Sequence, residues 1–379
     1  MVHRWFLQRP ITRNIAIAVV VVAAIAGLFY GIAFQGDITG FFRIGSVLPL
    51  SPFLEGRQPL IWPDQIGYDG QQFLSIALDP GLQDPGTIAA LDSPRYRYQR
   101  ILYPLLGYLL GGGQPMLIPY ALVGLNVASI IGLVWVTSRY LQPHRETWQG
   151  LLVLAIPGVW MVFSLSTADL LTSFLLVIAI ANYRANRPRA VAIALALACL
   201  ARETMLLVWL AVVLTSLWER KRKQLRSLLW VPLPVAAWGV YAWARLGTQD
   251  APETNNIGLP LVGIARKFAS FFSGDLPPKQ WVLESNFFLL LLVFAAAIAI
   301  SLQALSANRL ILIATSLYAV LFAVSSIVIL SYYVDYSRVY MDVYLLLLLS
   351  NSPSPWLKLF PLVGSACASG IYLYAAISP

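Results

Sequence analysis

Charge is scarce in this chain. Only 11% of its 379 residues are Asp, Glu, Lys or Arg, against 59% hydrophobic, and mean hydropathy is +0.71. A soluble domain carries about 25% charged residues, so a single water-bathed globule is excluded. Cysteine is limited to Cys199 and Cys367, both inside apolar runs, which rules out a disulfide framework or zinc-type spacing. The histidines, His3 and His144, supply no metal triad. Walker, dinucleotide and nucleophile-elbow motifs are missing from any context that would support them. No internal repeat of the kind found in many secondary transporters is visible.

What the chain has is long apolar runs. A membrane-spanning helix needs about 20 apolar residues, and Ile15–Phe34 is such a run without a charge. Further spans are predicted near 115–138, 150–165, 168–183, 227–244, 286–305, 309–331, 338–350 and 359–377. The basic start, MVHRWFLQRPITRN, leads into a run longer than a signal sequence and without a small-x-small cleavage site, so it reads as an uncleaved first helix. The formal charge of +9 does not point to nucleic acid, because the basic residues punctuate the ends of apolar runs. Trp209, Trp218, Trp230, Trp238 and Trp243 read as an interfacial belt.

The region 190–218 is apolar between two basic flanks, Arg184, Arg187 and Arg189 before it and Arg220 to Arg226 after it. As one helix it would extend about 42 Å and cross the bilayer, yet both flanks prefer the cytoplasm. The segment is therefore predicted to go in and return, turning near Arg202-Glu203-Thr204. That makes an all-α polytopic protein of about eleven membrane helices, two of them short, with a cytoplasmic N-terminus. In this topology residues 4, 9, 13, 139, 145, 184, 187, 189, 220, 221, 222, 223, 226, 309 and 358 are cytoplasmic, 15 of the 26 Lys and Arg. Of the 17 acids only Glu146 and Glu219 are. Acids gathered on the outer side hint at where chemistry takes place.

Two long outer segments follow, about 35–100 and 245–285. Loops beyond about 15 residues are usually functional or disordered, and the aromatics Trp62, Tyr68, Phe73, Tyr96 and Tyr98 argue against disorder in the first. Short helices are expected there, near Gln71–Leu78 and Ile101–Leu110, on a chain that forms a single membrane domain.

The most informative stretches are Tyr68-Asp69-Gly70-Gln71-Gln72-Phe73 through Ile76-Ala77, then Arg95-Tyr-Arg-Tyr-Gln-Arg100 and Tyr103-Pro-Leu-Leu106. Downstream come Ile156–Ser164 with Thr167-Ala-Asp169-Leu170, and Ala198–Thr204. With these segments the chain resembles the GPI mannosyltransferase II family and its bacterial relatives, within the C-type (GT-C) membrane glycosyltransferases. That family carries an aromatic-Asp pair in its first outer loop, a YPLL-like stretch after it, then a Ser-Glu-Ser-Leu and an Arg-containing turn. The matches run in family order over roughly residues 60–215. Asp169 stands where Glu is usual, and Tyr68-Asp69-Gly70 replaces Trp-Asp.

The resemblance implies transfer of a hexose, mannose in the family, from a polyprenyl-phosphate donor to an acceptor hydroxyl on the non-cytoplasmic face, with inversion. One carboxylate must take the acceptor proton, and cations must hold the leaving phosphate, a task suited to the planar fork of Arg. Asp69 is the predicted base, Asp37 and Asp64 its rivals. Asn at position 69 is expected to lower turnover about 10²–10⁴-fold without affecting folding or membrane insertion. Against this stands Asp69 as a simple helix cap. Arg95, Arg97 and Arg100 are phosphate candidates, with snorkelling to headgroups as the alternative. Arg266-Lys267 has the same two readings. Tyr68 and Gln72 are expected at the substrate, and Tyr68 and Phe73 in the cavity wall. Asp169, Arg202 and Glu203 are charges at membrane depth, which usually pair or line a cavity. The need for a divalent metal stays open, and the sequence shows no ligand set for one. Membrane lipids and the lipid-linked donor are the expected partners, and a bacterial plasma membrane the expected location. A lipid or small-molecule transporter or flippase, and a non-catalytic scaffold, are the rival readings. An enzyme should show a packed first loop over a lateral groove.

Overall fold

The computed structural model describes residues 2–144, 146–247, 256–274, 276–352 and 354–378, with side chains from residue 9 onward. His3, Arg4, Arg145, Asp250, Glu253 and Asp275 lie outside the described side chains. Among the described residues six helices are long and apolar enough to cross a membrane: Arg9–Ala33, Ile118–His144, Arg222–Leu246, Pro278–Gln303, Leu305–Val324 and Pro355–Ile377. A seventh arises if Thr147–Ala155 and Pro157–Leu165, bent by 55° at their junction, form one span. These helices leave apolar side chains uncovered, such as Val20 at 68% and Val320 at 61% exposure. In water that surface would be costly; in hydrocarbon it is the natural contact. The chain is an all-α polytopic integral membrane protein.

Prolines set many helix starts, where the missing N–H would have no partner anyway. Pro157, Pro188, Pro232, Pro278 and Pro355 each open a helix. Several predicted spans come out shorter than expected. The 338–350 span is the nine-residue helix Met341–Leu349, buried throughout and only about 14 Å long, so it is a core element rather than a crossing. The 309–331 span ends at Val324 and resumes as the single turn Ile327–Leu330. Asp169–Arg184 has sixteen residues and is largely buried.

The 190–218 region does break and fold back. Its arms are Pro188–Ala201 and Met205–Trp218, and Tyr183, just before the first, donates to Glu219, just after the second, at 2.9 Å. The Lys221 ammonium sits 4.2 Å from the Tyr183 ring centre. The basic flanks therefore share one end of the molecule. Arg184 with His144 and Lys358 with Glu146 make contacts within the set predicted to be cytoplasmic, as do Arg309 and Glu219.

The first outer segment is packed. It holds the 3-10 turns Ile38–Phe42 and Pro52–Leu54, a two-residue parallel pairing of Ile44–Gly45 with Ile61–Trp62, and the helices Asp69–Leu78, Pro85–Ala89 and Pro94–Tyr98. The next helix is Leu102–Leu110. Trp238, expected in the interfacial belt, instead donates to the Tyr98 carbonyl at 2.7 Å and packs on its ring, anchoring Pro94–Tyr98. Trp209 donates to Leu228, whereas Trp218, Trp230 and Trp243 are exposed. In the second outer segment Lys267 forms a buried ion pair with Glu284 at 2.5 Å, so it neither binds phosphate nor snorkels.

Candidate functional site

Two close backbone approaches build the site. Gly70, in the first turn of Asp69–Leu78, lies against the Leu165 carbonyl, where a Cβ would collide. Gly158 lies against the Ser337 carbonyl in the same way. The helix Pro157–Leu165 thus receives the start of Asp69–Leu78 on one side and the short helix Tyr333–Val339 on the other. Asp69 and Asp169 each occupy the first residue of a helix, where the exposed N–H groups favour a negative charge.

Asp69 is the hub. One carboxylate oxygen accepts from Arg97 Nη1 at 2.5 Å and the other from Arg338 Nη1, with Arg100 Nη1 at 3.8 Å. The N-cap of its helix is Tyr68, and the Asp69 carboxylate serves these arginines instead of a cap. Burial on its own would raise the Asp69 carboxyl. Arg338, Arg97 and Arg100 outweigh it and hold the group well below the usual carboxylate range. Asp69 is therefore ionised and pinned. Replacing it takes the close carboxylate partner from the buried Arg338 guanidinium, so Asn at this position is expected to cost stability rather than leave folding unaffected: removing one partner of a buried pair costs about 3–5 kcal/mol.

The cluster extends outward and downward from this hub. Arg97 also grips Asp92 with two bonds, at 2.8 and 2.6 Å. Arg100 grips Glu203 with two, at 2.8 and 2.5 Å, and lies over the Tyr96 ring. Below, Arg202 at the hairpin turn pairs with Asp169, whose other oxygen accepts from Thr167 at 2.6 Å and lies 3.8 Å from Arg338. The Tyr68 hydroxyl donates to Asp335, and the Arg338 guanidinium sits 5.0 Å from the Tyr68 ring centre. Burial pushes the Asp335 carboxyl up, and the pull of Arg338 and the Tyr68 hydrogen bond does not cancel it.

Of the residues singled out in the sequence, Tyr68, Asp69, Arg97, Arg100, Asp169, Arg202 and Glu203 converge here. Arg95 is exposed. Gln72 is buried and accepts from the Asp92 N–H at 3.2 Å, supporting the cluster from behind. Asp37 caps the turn Ile38–Phe42 by accepting from Thr39. Asp64 is exposed, on a left-handed backbone with φ of 56°. Phe73 packs edge-on against Tyr103 in the core, so it is not in a cavity wall as expected.

Next to the cluster is a cavity of about 730 Å³, lined by the aromatic hydroxyl residues Tyr68, Tyr332 and Tyr333 and by the apolar Phe29, Ile32 and Ala376. Tyr68 joins the two features. Comparison with models of known families, with curated proteins and with solved structures finds no match. The site's chemistry is read from its own geometry. Among the described residues no three His, Cys, Asp or Glu converge on a point that could hold a metal ion.

Sequence reasoning missed Arg338, Asp335, Asp92 and Tyr96. The signal for the first two was Tyr332-Tyr-Val-Asp335-Tyr-Ser-Arg338, an acid and a base inside an otherwise apolar third of the chain, where ionisable groups are expensive.

Proposed function

We propose that this chain is a C-type (GT-C) membrane glycosyltransferase, moving a hexose from a polyprenyl-phosphate donor to an acceptor hydroxyl on the non-cytoplasmic face of a bacterial plasma membrane. In this reading the six long helices, the bent pair and the short helices Asp169–Arg184, Pro188–Ala201 and Met205–Trp218 are the membrane elements, packed around the core helix Met341–Leu349, which stands in place of the eleventh expected span. The observation that carries the reading is the buried Asp69 carboxylate, held between Arg97 and Arg338 beside a cavity with an apolar side. A packed, acid-bearing first loop over such a cavity favours an enzyme over a transporter.

Asp69 is the general base. In the resting protein its basicity is suppressed by the paired guanidiniums. An acceptor hydroxyl that binds it displaces one of them, which restores basicity and frees a cation to face the departing phosphate. The hydroxyl proton then passes to Asp69 as the oxygen bonds to the anomeric carbon. The bond from that carbon to the phosphate oxygen breaks, and the lipid phosphate leaves with the electron pair.

The test is release of polyprenyl phosphate from polyprenyl-phosphate mannose, and from its glucose counterpart, by purified protein supplied with membrane-extract acceptors. Asp69→Asn should lower turnover about 10²–10⁴-fold. Unchanged turnover in a folded Asp69→Asn protein would falsify the base assignment. Wild-type protein that turns over neither donor sinks the transferase reading and leaves transport.

A further inference from the structure

The cavity beside Tyr68 contains an unbalanced charge. Arg43 and Lys279 both line it, and no carboxylate does among the described residues. By contrast, the cations of the Asp69 cluster and the buried Lys267 are matched: Arg97, Arg100, Arg202, Lys267 and Arg338 each pair with an acid. Among the described residues the Arg43 guanidinium has as close partners only the Gln65 side-chain carbonyl at 3.2 Å and the Trp62 ring at 5.8 Å. Both are neutral, so its charge remains available. Lys279 sits on the exposed face of Pro278–Glu284, with no carboxylate partner among the described residues.

Much of the remaining lining is hydrocarbon. Phe29, Ile32 and Ala33 come from the five-residue π-helical turn that ends the first membrane helix, and Ala375 to Ile377 from the end of the last one. Ile32 is 54% exposed, so this wall runs out onto the apolar surface that faces lipid. The cavity therefore combines cations and hydroxyls with an apolar lining that reaches the exposed apolar surface. Its size lies within the roughly 300–1,000 Å³ of small-molecule sites.

We infer that this cavity binds a lipid phosphate, the anion at Arg43 and Lys279 and the hydrocarbon tail leaving between the ends of the first and last membrane helices. The inference rests on the proposed lipid-linked donor and deepens it. It moves the phosphate contact away from Arg95, Arg97 and Arg100, of which the last two are already neutralised and the first is exposed. It also ties that contact to the base: the Arg43 carbonyl accepts the Tyr68 N–H at 3.1 Å, so Arg43 is fastened to the turn that presents Asp69.

The experiment measures binding by the full-length purified protein in detergent, followed through tryptophan fluorescence, since Trp62 lies beside Arg43. The probes are polyprenyl phosphate, phosphatidic acid and inorganic phosphate. Wild type should bind the two lipids, with inorganic phosphate at least about 100-fold weaker because it lacks the tail. Lys279→Gln changes an exposed side chain and should fold normally; it should weaken lipid binding several-fold. Together with Arg43→Gln the loss should reach about tenfold or more, the scale of lost charge-assisted bonds. Unchanged lipid affinity in Lys279→Gln and in the double variant overturns the site. Inorganic phosphate binding as tightly as the lipids overturns the tail path. Folded Asp69→Asn should retain lipid-phosphate binding while losing transfer. Transfer retained in that variant defeats the base and leaves the lipid site standing.

Discussion

The Asp69 carboxylate is closed by the Arg338 guanidinium across 269 residues of sequence. This single pair ties the first outer loop to the short helix Tyr333–Val339 and, through Arg338 at 3.8 Å from Asp169, to the membrane helix Asp169–Arg184. Three distant segments share one buried charge balance.

That balance makes the pair measurable. Asp69→Asn and Arg338→Gln should each destabilise the detergent-solubilised protein by about 3–5 kcal/mol, because each leaves a buried opposite charge uncompensated. Their double variant should lose less than the sum, with a coupling of about 1–3 kcal/mol. Chemical denaturation of the four proteins gives the cycle, and strict additivity would contradict the pairing.

The two acids of the site should pull stability in opposite directions with pH. Asp69 is depressed in the folded protein, so its contribution is complete above the ordinary Asp value of about 3.9 and declines as pH falls below it toward the folded value. Asp335 is raised, so ionising it costs the folded state, and that cost grows as pH rises from about 3.9 through the folded value. Asp335→Asn keeps an acceptor for Tyr68 and removes the cost. It should melt at or above the wild-type temperature at pH 7, and the difference should shrink as pH is lowered toward 4. A lower melting temperature at pH 7 refutes this account.

The fold-back at Arg202–Thr204 predicts shared accessibility of its flanks. With Cys199 and Cys367 replaced by Ser, single cysteines at Ala185 and Lys223, both exposed, should react with an impermeant thiol reagent from one and the same side of a sealed vesicle. Labelling from opposite sides is incompatible with the hairpin.

Sequence by itself determined the solvent and much of the path. With so little charge and so many apolar runs, only helices with internally satisfied backbones are stable in hydrocarbon, and the basic flanks of 190–218 required a return that the chain makes at Arg202–Thr204. It also placed Asp69, Arg97, Arg100 and Glu203 among the residues to watch, because ionisable groups beside apolar segments are costly unless used. Tertiary structure alone decided who neutralises whom. Asp37, Asp64 and Asp69 have the same side chain, yet only the last is buried against guanidiniums, because Gly70 lets its helix reach the Leu165 carbonyl and Gly158 admits the segment carrying Arg338. Pairing energy depends on distance and burial, and neither is a property of position in the chain. For the same reason Arg43 and Lys279, ordinary loop cations in the sequence, become the uncompensated charges of a cavity only when helices from the two ends of the chain meet beside Tyr68.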